Sequence, residues 1–387
     1  MSLDEVVSRL RAKHAVALFT FSFRKAEYRS LNDIEKHVVA ERRGPLGRFV
    51  RYEEFRRFER LADEVRDWKP DIVVFNKDFA YSRWLGKSIA KPVAWWLHGE
   101  IDLRINFDNA RRTQQGSRNL LMRSYGKKYD TTRLVSNEPG LVEVVLCVSR
   151  AVSDALVKRF PELKTVVVQN GVNHEWFTPT WEDGNYVLSL CRFSREKNLE
   201  LILESLGGAS YRVIIQGIVG TGDGEKDSLR YLNQLISRVP GNVRIQMHTT
   251  DLDLLRLLQR SSLLVHPGHD EGFSQAILQA MSCGKVVVAH SSGGTPESLK
   301  GTGFLLPDDP EKWRAVVDKL MASPEIRREL GEKAQEASLE FTWERTASGI
   351  QEGLQRVILA AESSVDTRRR SKESHWGDKG ESRHSRT

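Results

Sequence analysis

The chain is short of cysteine. It has three in 387 residues, Cys147, Cys191 and Cys283, each in an apolar context. Their spacing matches neither a metal knuckle nor a disulfide framework, so buried free thiols in a reducing compartment are expected, and with them the cytoplasm. No run of 18 or more apolar residues occurs, which argues against a transmembrane helix. The first residues, MSLDEVVSRLR, are acidic and then amphipathic, with no apolar signal-peptide core. A Walker phosphate loop is missing as well. The glycine-rich run from Gly217 to Gly224 is not followed by Gly-Lys-Ser/Thr and reads as a flexible connection. No Asp-x-Asp pair stands at a strand end, so no metal is expected.

What is present is enough for two domains with substantial cores. Apolar residues make up 40% and charged residues 29%, the balance of a soluble globular chain. The net charge of +7 makes nucleic acid, an anionic membrane surface and an anionic substrate the three partner classes to weigh. The tail from Ser363, with Arg368-Arg369-Arg370, carries part of that excess and reads as disordered. No nucleic-acid motif accompanies the charge, so no nucleic-acid partner is expected. The polar, basic stretch from residue 101 to 133 keeps an anionic acceptor or peripheral membrane contact in view, against the plainer reading of a solvated segment.

Short apolar runs alternate with helix-period segments along most of the chain, the pattern of an α/β fold with parallel sheets. Residues 13–20, 72–75, 92–97, 144–148 and 166–168 read as strands in the first half. Tyr186 to Leu190, Tyr211 to Gln216, Val243 to Met247, Leu263 to Val265 and Lys285 to Ala289 follow in the second. Ser149 is placed to cap a helix over 150–159, and Ser274 one running to about Cys283 with Gly284 behind it. The stretch from His266 to Leu306, HPGHDEGFSQAILQAMSCGKVVVAHSSGGTPESLKGTGFLL, sets a carboxylate, Glu271, and exposed helix N-termini on one sheet edge. Parallel sheets bind ligands at the carboxyl ends of their strands. A helix N-terminus with free N–H groups favours an anion such as phosphate.

The order of these residues resembles the C-terminal half of the retaining glycosyltransferases of group 1, which use nucleotide-sugar donors. The EGF loop at Glu271, the "AMSCG" run and the Gly293-Gly294 loop with Pro296-Glu297 carry the resemblance. Arg192 and Lys197 match the family's basic loop, with Cys191 and Asn198 where glycines usually stand. The Asn170-Gly171-Val172-Asn173 element, with Phe177 and Pro179, matches the family's domain junction. Phe341-Thr342-Trp343 resembles the start of its last helix. The resemblance implies a GT-B fold: two Rossmann-like, doubly wound parallel-sheet domains facing a cleft. The acceptor domain would span residues 1–173, a linker 174–185 and the donor domain 186–340. A crossing helix over 341–362 would return to the first domain, and 363–387 would form the tail. Arg192, Lys197 and the helix start near Ser274 would hold the diphosphate. Glu271, with the backbone N–H groups of Gly272 and Phe273, would position the donor sugar. His98, at a strand's carboxyl end, would reach that sugar from the other domain. The loop with His248 and Thr249 would lie against the nucleobase. The acceptor would be a glycan, a lipid-linked or another hydroxyl compound, and no metal or other cofactor is implied.

Two departures stand out. The family's glycine pair after the first strand is absent, leaving Arg24 or Lys25 to substitute by charge, or else a solvated loop. The second Glu of the signature, which accepts hydrogen bonds from both ribose hydroxyls, is replaced by Gln279. An amide has one acceptor oxygen and one donor nitrogen. Losing one charge-assisted bond costs ~1.5–3 kcal/mol at most, roughly tenfold to a hundredfold in affinity. The expected activity is therefore metal-independent glycosyl transfer with retention. The alternative is a non-catalytic nucleotide-binding or scaffold protein on a degenerate form of the same fold. A GT-B epimerase or phosphorylase is a further reading.

Overall fold

The computed structural model describes residues 2–20, 35–38, 60–76, 89, 91–98, 142–220, 225–247 and 250–377. The chain opens with helix α1 (Ser2–Leu10) and a parallel pair, β1 (Ala17–Thr20) and β2 (Glu35–Val38). A four-stranded parallel sheet follows, made of β3 (Val73–Asn76), β4 (Val93–Leu97), β5 (Val144–Cys147) and β6 (Thr165–Val167) in that order. Its central strands, VAWWL and VVLC, are buried at every position, as strands covered on both faces must be. Helix α2 (Arg150–Arg159) begins as its sequence predicts. Ser149 Oγ accepts a hydrogen bond from the Val152 N–H at 3.2 Å.

The second sheet has six parallel strands. They are β7 (Tyr186–Arg192), β8 (Arg212–Ile218), β9 (Val243–Met247), β10 (Leu263–His266), β11 (Val286–His290) and β12 (Phe304–Leu306). Their order is 12-11-10-7-8-9. The chain winds outward from β7 to β9, returns to pair β10 against β7, and winds the other way to β12. The winding reverses between β7 and β10, the place in such sheets where ligands bind at the carboxyl ends of the strands. One face of the sheet carries α3 (Leu199–Leu206), and α4 (Glu225–Ile236) joins β8 to β9. Helix α5 (Asp251–Arg260) leads into β10, and α6 (Gln275–Ser282) runs from β10 to β11. The short α7 (Thr295–Leu299) precedes β12, and α8 (Pro310–Met321) and α9 (Pro324–Ser338) follow it. Strand residues alternate between two apolar cores. Val187, Val213, Ile215, Val265 and Val288 pack with α3, α4 and α8. Leu188, Leu190, Leu264, Val287 and Ala289 pack with α5 and α6, in a core continuous with that of the first sheet.

The last helix, α10 (Trp343–Gly377), returns to the first half. Gly353 lies so close to β5 that a Cβ would come within 2.9 Å of the Leu146 side chain. Thr346 Oγ1 donates to the Gln169 carbonyl at 2.7 Å, and Arg9 of α1 pairs with Glu344 at 2.7 Å. The crossing helix of the GT-B arrangement is therefore present. It does not stop near Ala361. It continues to Gly377, through the arginine run whose composition suggests disorder. No proline and no glycine interrupts residues 361–376, so nothing in the local chain ends the helix sooner. No described helix is long and apolar enough to cross a membrane. The basic stretch 101–133 and the loop with Arg24 and Lys25 lie outside the described residues.

The sequence pattern places Lys285 at the opening of β11. It instead precedes the strand, buried, with Nζ donating to the Glu182 carbonyl at 3.0 Å. Burial disfavours its charge and brings its pKa down from 10.5 to about 8. The unfolded chain holds that proton to higher pH than the folded one. This group therefore costs stability at and below pH 8, and its contribution improves as pH rises from about 8 to 10.5. Chemical denaturation of Lys285→Met across this range should show that rise flattened, and a midpoint at pH 7 no lower than that of the native chain.

Candidate functional site

Three strand ends meet at the reversal of the second sheet. β7 ends on Arg192, and a 3-10 turn, Arg195–Lys197, follows it. Asn198 closes that turn with φ 47° and ψ 46°, a left-handed conformation that glycine takes freely and asparagine tolerates. That explains how Asn serves where the family has Gly. β10 ends on His266, and the chain then passes through Asp270, also left-handed at φ 53°, to Glu271. β11 ends on His290 and leads to the glycine loop.

Glu271 is the centre. Its Oε1 receives the Lys197 ammonium in a close ion pair and lies 3.0 Å from His266 Nε2. Lys197 and Glu271 side chains are each 13% exposed, and His266 is buried deeper. Burial by itself would raise the carboxyl. The Lys197 charge and the His266 hydrogen bond outweigh it and hold Glu271 well below the usual carboxylate range. Glu271 thus stays ionised at any physiological pH. Arg192 is placed differently from Lys197. Its side chain is 59% exposed, and the closest acid is Glu196 at 3.7 Å. One cation of the pair is engaged inside the site, and the other stands at its rim.

The glycine loop shapes the backbone around Glu271. Gly293 has φ 54°, and a Cβ there would lie 2.3 Å from the Glu271 carbonyl oxygen. A Cβ on Gly294 would lie 1.9 Å from the Gly272 carbonyl oxygen and 2.9 Å from Ser149 Oγ of the first domain. The Gly294 N–H donates to the Glu271 carbonyl at 2.6 Å. Both glycines are required because the two loops touch through their backbones. The neighbouring Glu297 reaches across to the other domain, accepting from the N–H groups of Arg150 and Ala151 at 2.9 and 2.8 Å. A carboxylate there completes the start of α2 and favours its positive end.

Ser274 occupies the N-cap position of α6, but its hydroxyl does not cap. It faces His266 Nε2 at 3.5 Å. The first N–H groups of α6 are therefore left without that side-chain acceptor, at the carboxyl edge of the second sheet. Phe273 is turned inward, edge-on to Phe341 at 5.4 Å between ring centroids, so only its backbone faces the site. Gln279 lies buried one turn along α6. His98 follows β4 in the first sheet, its Nε2 2.7 Å from Asn76 Oδ1 and its ring tilted against Trp96. Asn76 ends β3, so both residues stand at carboxyl strand ends. His248 and Thr249 lie outside the described residues. Nothing in the local sequence marks His266 as a partner of Glu271, because it reads only as a strand's last residue. An open groove of ≈ 690 Å³ on the same sheet, lined by Arg212, Arg244, Arg256 and Arg260, reaches from Gly184 at the amino ends of β7 and β8 to Met247. It does not include Glu271 or Lys197.

Residues 173–337 match the family described as Glycosyl transferases group 1, and residues 1–176 match Glycosyltransferase Family 4. Among curated proteins the chain is similar to an uncharacterized glycosyltransferase of Methanocaldococcus jannaschii, 24% identical over 62% of this chain and 66% of that one. It is also similar to the D-inositol 3-phosphate glycosyltransferase of Segniliparus rotundus, 31% identical over 29% of this chain. That stretch spans only 26% of the relative's own length. Two solved structures share its fold over 92% of the chain. They are sucrose-phosphate synthase from Thermosynechococcus elongatus (TM-score 0.68, 18% identity, 92% of that chain) and Anabaena HepE in complex with UDP-glucose (TM-score 0.67, 17% identity, 95% of that chain). The fold is GT-B, and the second half of the chain, residues 173–337, matches the group 1 glycosyltransferase family.

Gly294→Ala is expected to lower stability by at least about 2 kcal/mol, because the methyl group meets backbone and not a movable side chain. Gly241→Ala, where a Cβ meets nothing within 4 Å, is the control and should be near neutral in the same melts.

Proposed function

We propose that this chain transfers a sugar from a nucleoside-diphosphate donor to an acceptor hydroxyl, with retention at the anomeric carbon and without a metal ion. The observation that carries the reading is the buried Lys197–Glu271–His266 cluster at the sheet's reversal, beside the start of α6. The leaving diphosphate gains negative charge as the glycosidic bond breaks, so fixed positive groups lower the barrier. Lys197, Arg192 and the N–H groups at the start of α6 are the groups within reach. Arg offers a planar fork and Lys a point charge, which suits them to different phosphate oxygens.

Without donor, Lys197 is neutralised by Glu271. An arriving diphosphate competes for that ammonium. As Lys197 turns to the phosphates, the Glu271 carboxylate is freed to accept hydrogen bonds from sugar hydroxyls. The pair thus keeps a buried carboxylate compensated until the donor replaces its partner. His266 retains one contact to the carboxylate throughout and limits its movement. His98 would hold the sugar from the first domain, with Asn76 fixing its ring. Gln279 would meet the ribose with one acceptor in place of two, a loss of affinity and not of chemistry. The loop with His248 and Thr249 is the proposed neighbour of the base. The acceptor, a glycan or lipid-linked hydroxyl, would enter from the first domain, in a protein that works in the cytoplasm or against its membrane face.

Anabaena HepE holds UDP-glucose on the same fold, so UDP is the first nucleotide to test here. A thermal-shift screen with UDP, GDP and ADP should select one of them. At a hundredfold excess over Kd the gain is about 2.7 kcal/mol. Lys197→Ala and Glu271→Gln should each reduce that shift or the subsequent turnover at least tenfold. Turnover should survive EDTA, and NMR of the first product should show the donor's anomeric configuration. No shift with any nucleotide at millimolar concentration would remove the donor site and with it this reading.

A further inference from the structure

A second polar cluster adjoins the first and has no part in the reaction proposed above. His269 follows β10, His290 ends β11 and Asp308 follows β12, so three neighbouring parallel strands each deliver one side chain to the same edge. One ligand-type atom from each residue lies within 4.8 Å of the other two. His269 Nε2 is 3.0 Å from Asp308 Oδ2, and His290 Nε2 is 3.5 Å from Asp308 Oδ1. The surroundings hold these groups in place. The His269 N–H donates to the Glu196 carbonyl at 2.8 Å. His290 Nδ1 lies 2.9 Å from Ser292 Oγ, which leaves Nε2 directed at the cluster.

We propose that His269, His290 and Asp308 bind a divalent transition ion of the zinc, cobalt and nickel type. Two observations carry this beyond proximity. The first is the donor set: two imidazole nitrogens and one carboxylate suit borderline ions and not magnesium, which prefers oxygen. The second is the convergence of polar atoms on His269 Nε2. The Asn198 amide nitrogen lies 3.0 Å from it. The Asp308 carboxylate lies 3.0 Å away as well, so that nitrogen carries either a proton shared with Asp308 or an ion in its place. Asn198 approaches Asp308 Oδ1 as well, at 3.0 Å, and closes the site from the side of Lys197. Ser292, bonded to His290 Nδ1, is the outer partner that fixes a ligating imidazole.

The two rings are stacked, with centroids 4.1 Å apart and planes 18° from parallel. Parallel rings cannot both direct a lone pair at one ion. Binding therefore requires one ring to turn about its Cβ–Cγ bond. His269, 36% exposed, has the room that His290, 13% exposed, lacks. A bound ion would tie together the loops after β10, β11 and β12. Those loops carry Glu271 and the glycine pair, so the ion would stiffen the edge next to Lys197 without entering the transfer.

The test uses the full chain, freed of any affinity tag and stripped with chelator, and needs no sugar donor. Cobalt(II) titration should give one equivalent of binding in the micromolar range or tighter, with the visible absorption of a nitrogen-ligated ion. Zinc should displace it, and magnesium should not. His269→Ala/His290→Ala should abolish the signal. Asp308→Asn and Ser292→Ala should each weaken binding about tenfold to a hundredfold, while the exposed His14→Ala leaves it unchanged. Circular dichroism checks that each variant is folded. If the double variant does not fold, the Asp308 and Ser292 variants decide. Absence of stoichiometric binding, or binding that survives the ligand substitutions, would overturn the proposal and leave the cluster as a hydrogen-bonded knot.

Discussion

The ion pair between Lys197 and Glu271 is the constraint around which the second domain is built. Each charge alone would be expensive at this depth, and each makes the other tolerable. The pair also has a topological consequence. Lys197 belongs to the turn after β7, and Glu271 to the loop after β10, the two strands that flank the reversal of winding. A contact 74 residues apart in sequence thus closes the point at which a doubly wound sheet exposes its ligand edge. His266 adds a further contact to the same carboxylate oxygen from the end of β10.

Around that pair the backbone is packed more tightly than side chains would permit. Gly293 and Gly294 let one loop lie against the carbonyls of Glu271 and Gly272. The same loop touches Ser149 of the first domain, and Glu297 completes the start of α2. The glycine pair therefore shapes the carboxylate loop and brings the two domains together at one place. The last helix does the same from the opposite direction, through Gly353 on β5 and Arg9 on Glu344. Domain contact in this chain rests on backbone proximity and a few directed polar bonds. The continuous apolar core beneath them supplies the bulk of the burial.

The positions at which the chain departs from the family it resembles have local physical explanations. Asn198 replaces a glycine where the backbone is left-handed, and asparagine is one of the few other residues that tolerate this. Its amide then meets His269 and Asp308, which a glycine could not. Gln279 keeps the length and one acceptor of the glutamate it replaces. These substitutions change the side chains at the carboxyl edge of the second sheet without disturbing the strands that form it.

Most of the strands, their parallel pairing and the two-domain architecture were legible in the sequence, because apolar runs buried on both faces and separated by helix-period segments admit few other arrangements. The short β2 and β12 were not, since three or four residues carry too little pattern to read. The sequence also singled out Glu271, Lys197, Arg192 and the glycine pair through their order along the chain. How those residues stand to one another follows from the three-dimensional packing alone. Lys197, in the turn after β7, points inward to Glu271, while Arg192, the last residue of that strand, points out. Ser274 occupies the cap position of α6 but turns its hydroxyl to His266. His269, His290 and Asp308 converge from three separate loops, and α10 continues well past its expected end. These outcomes depend on side-chain direction and on contacts between distant segments. Periodicity and spacing report which face of an element a residue occupies, and do not report what the neighbouring strand presents to it.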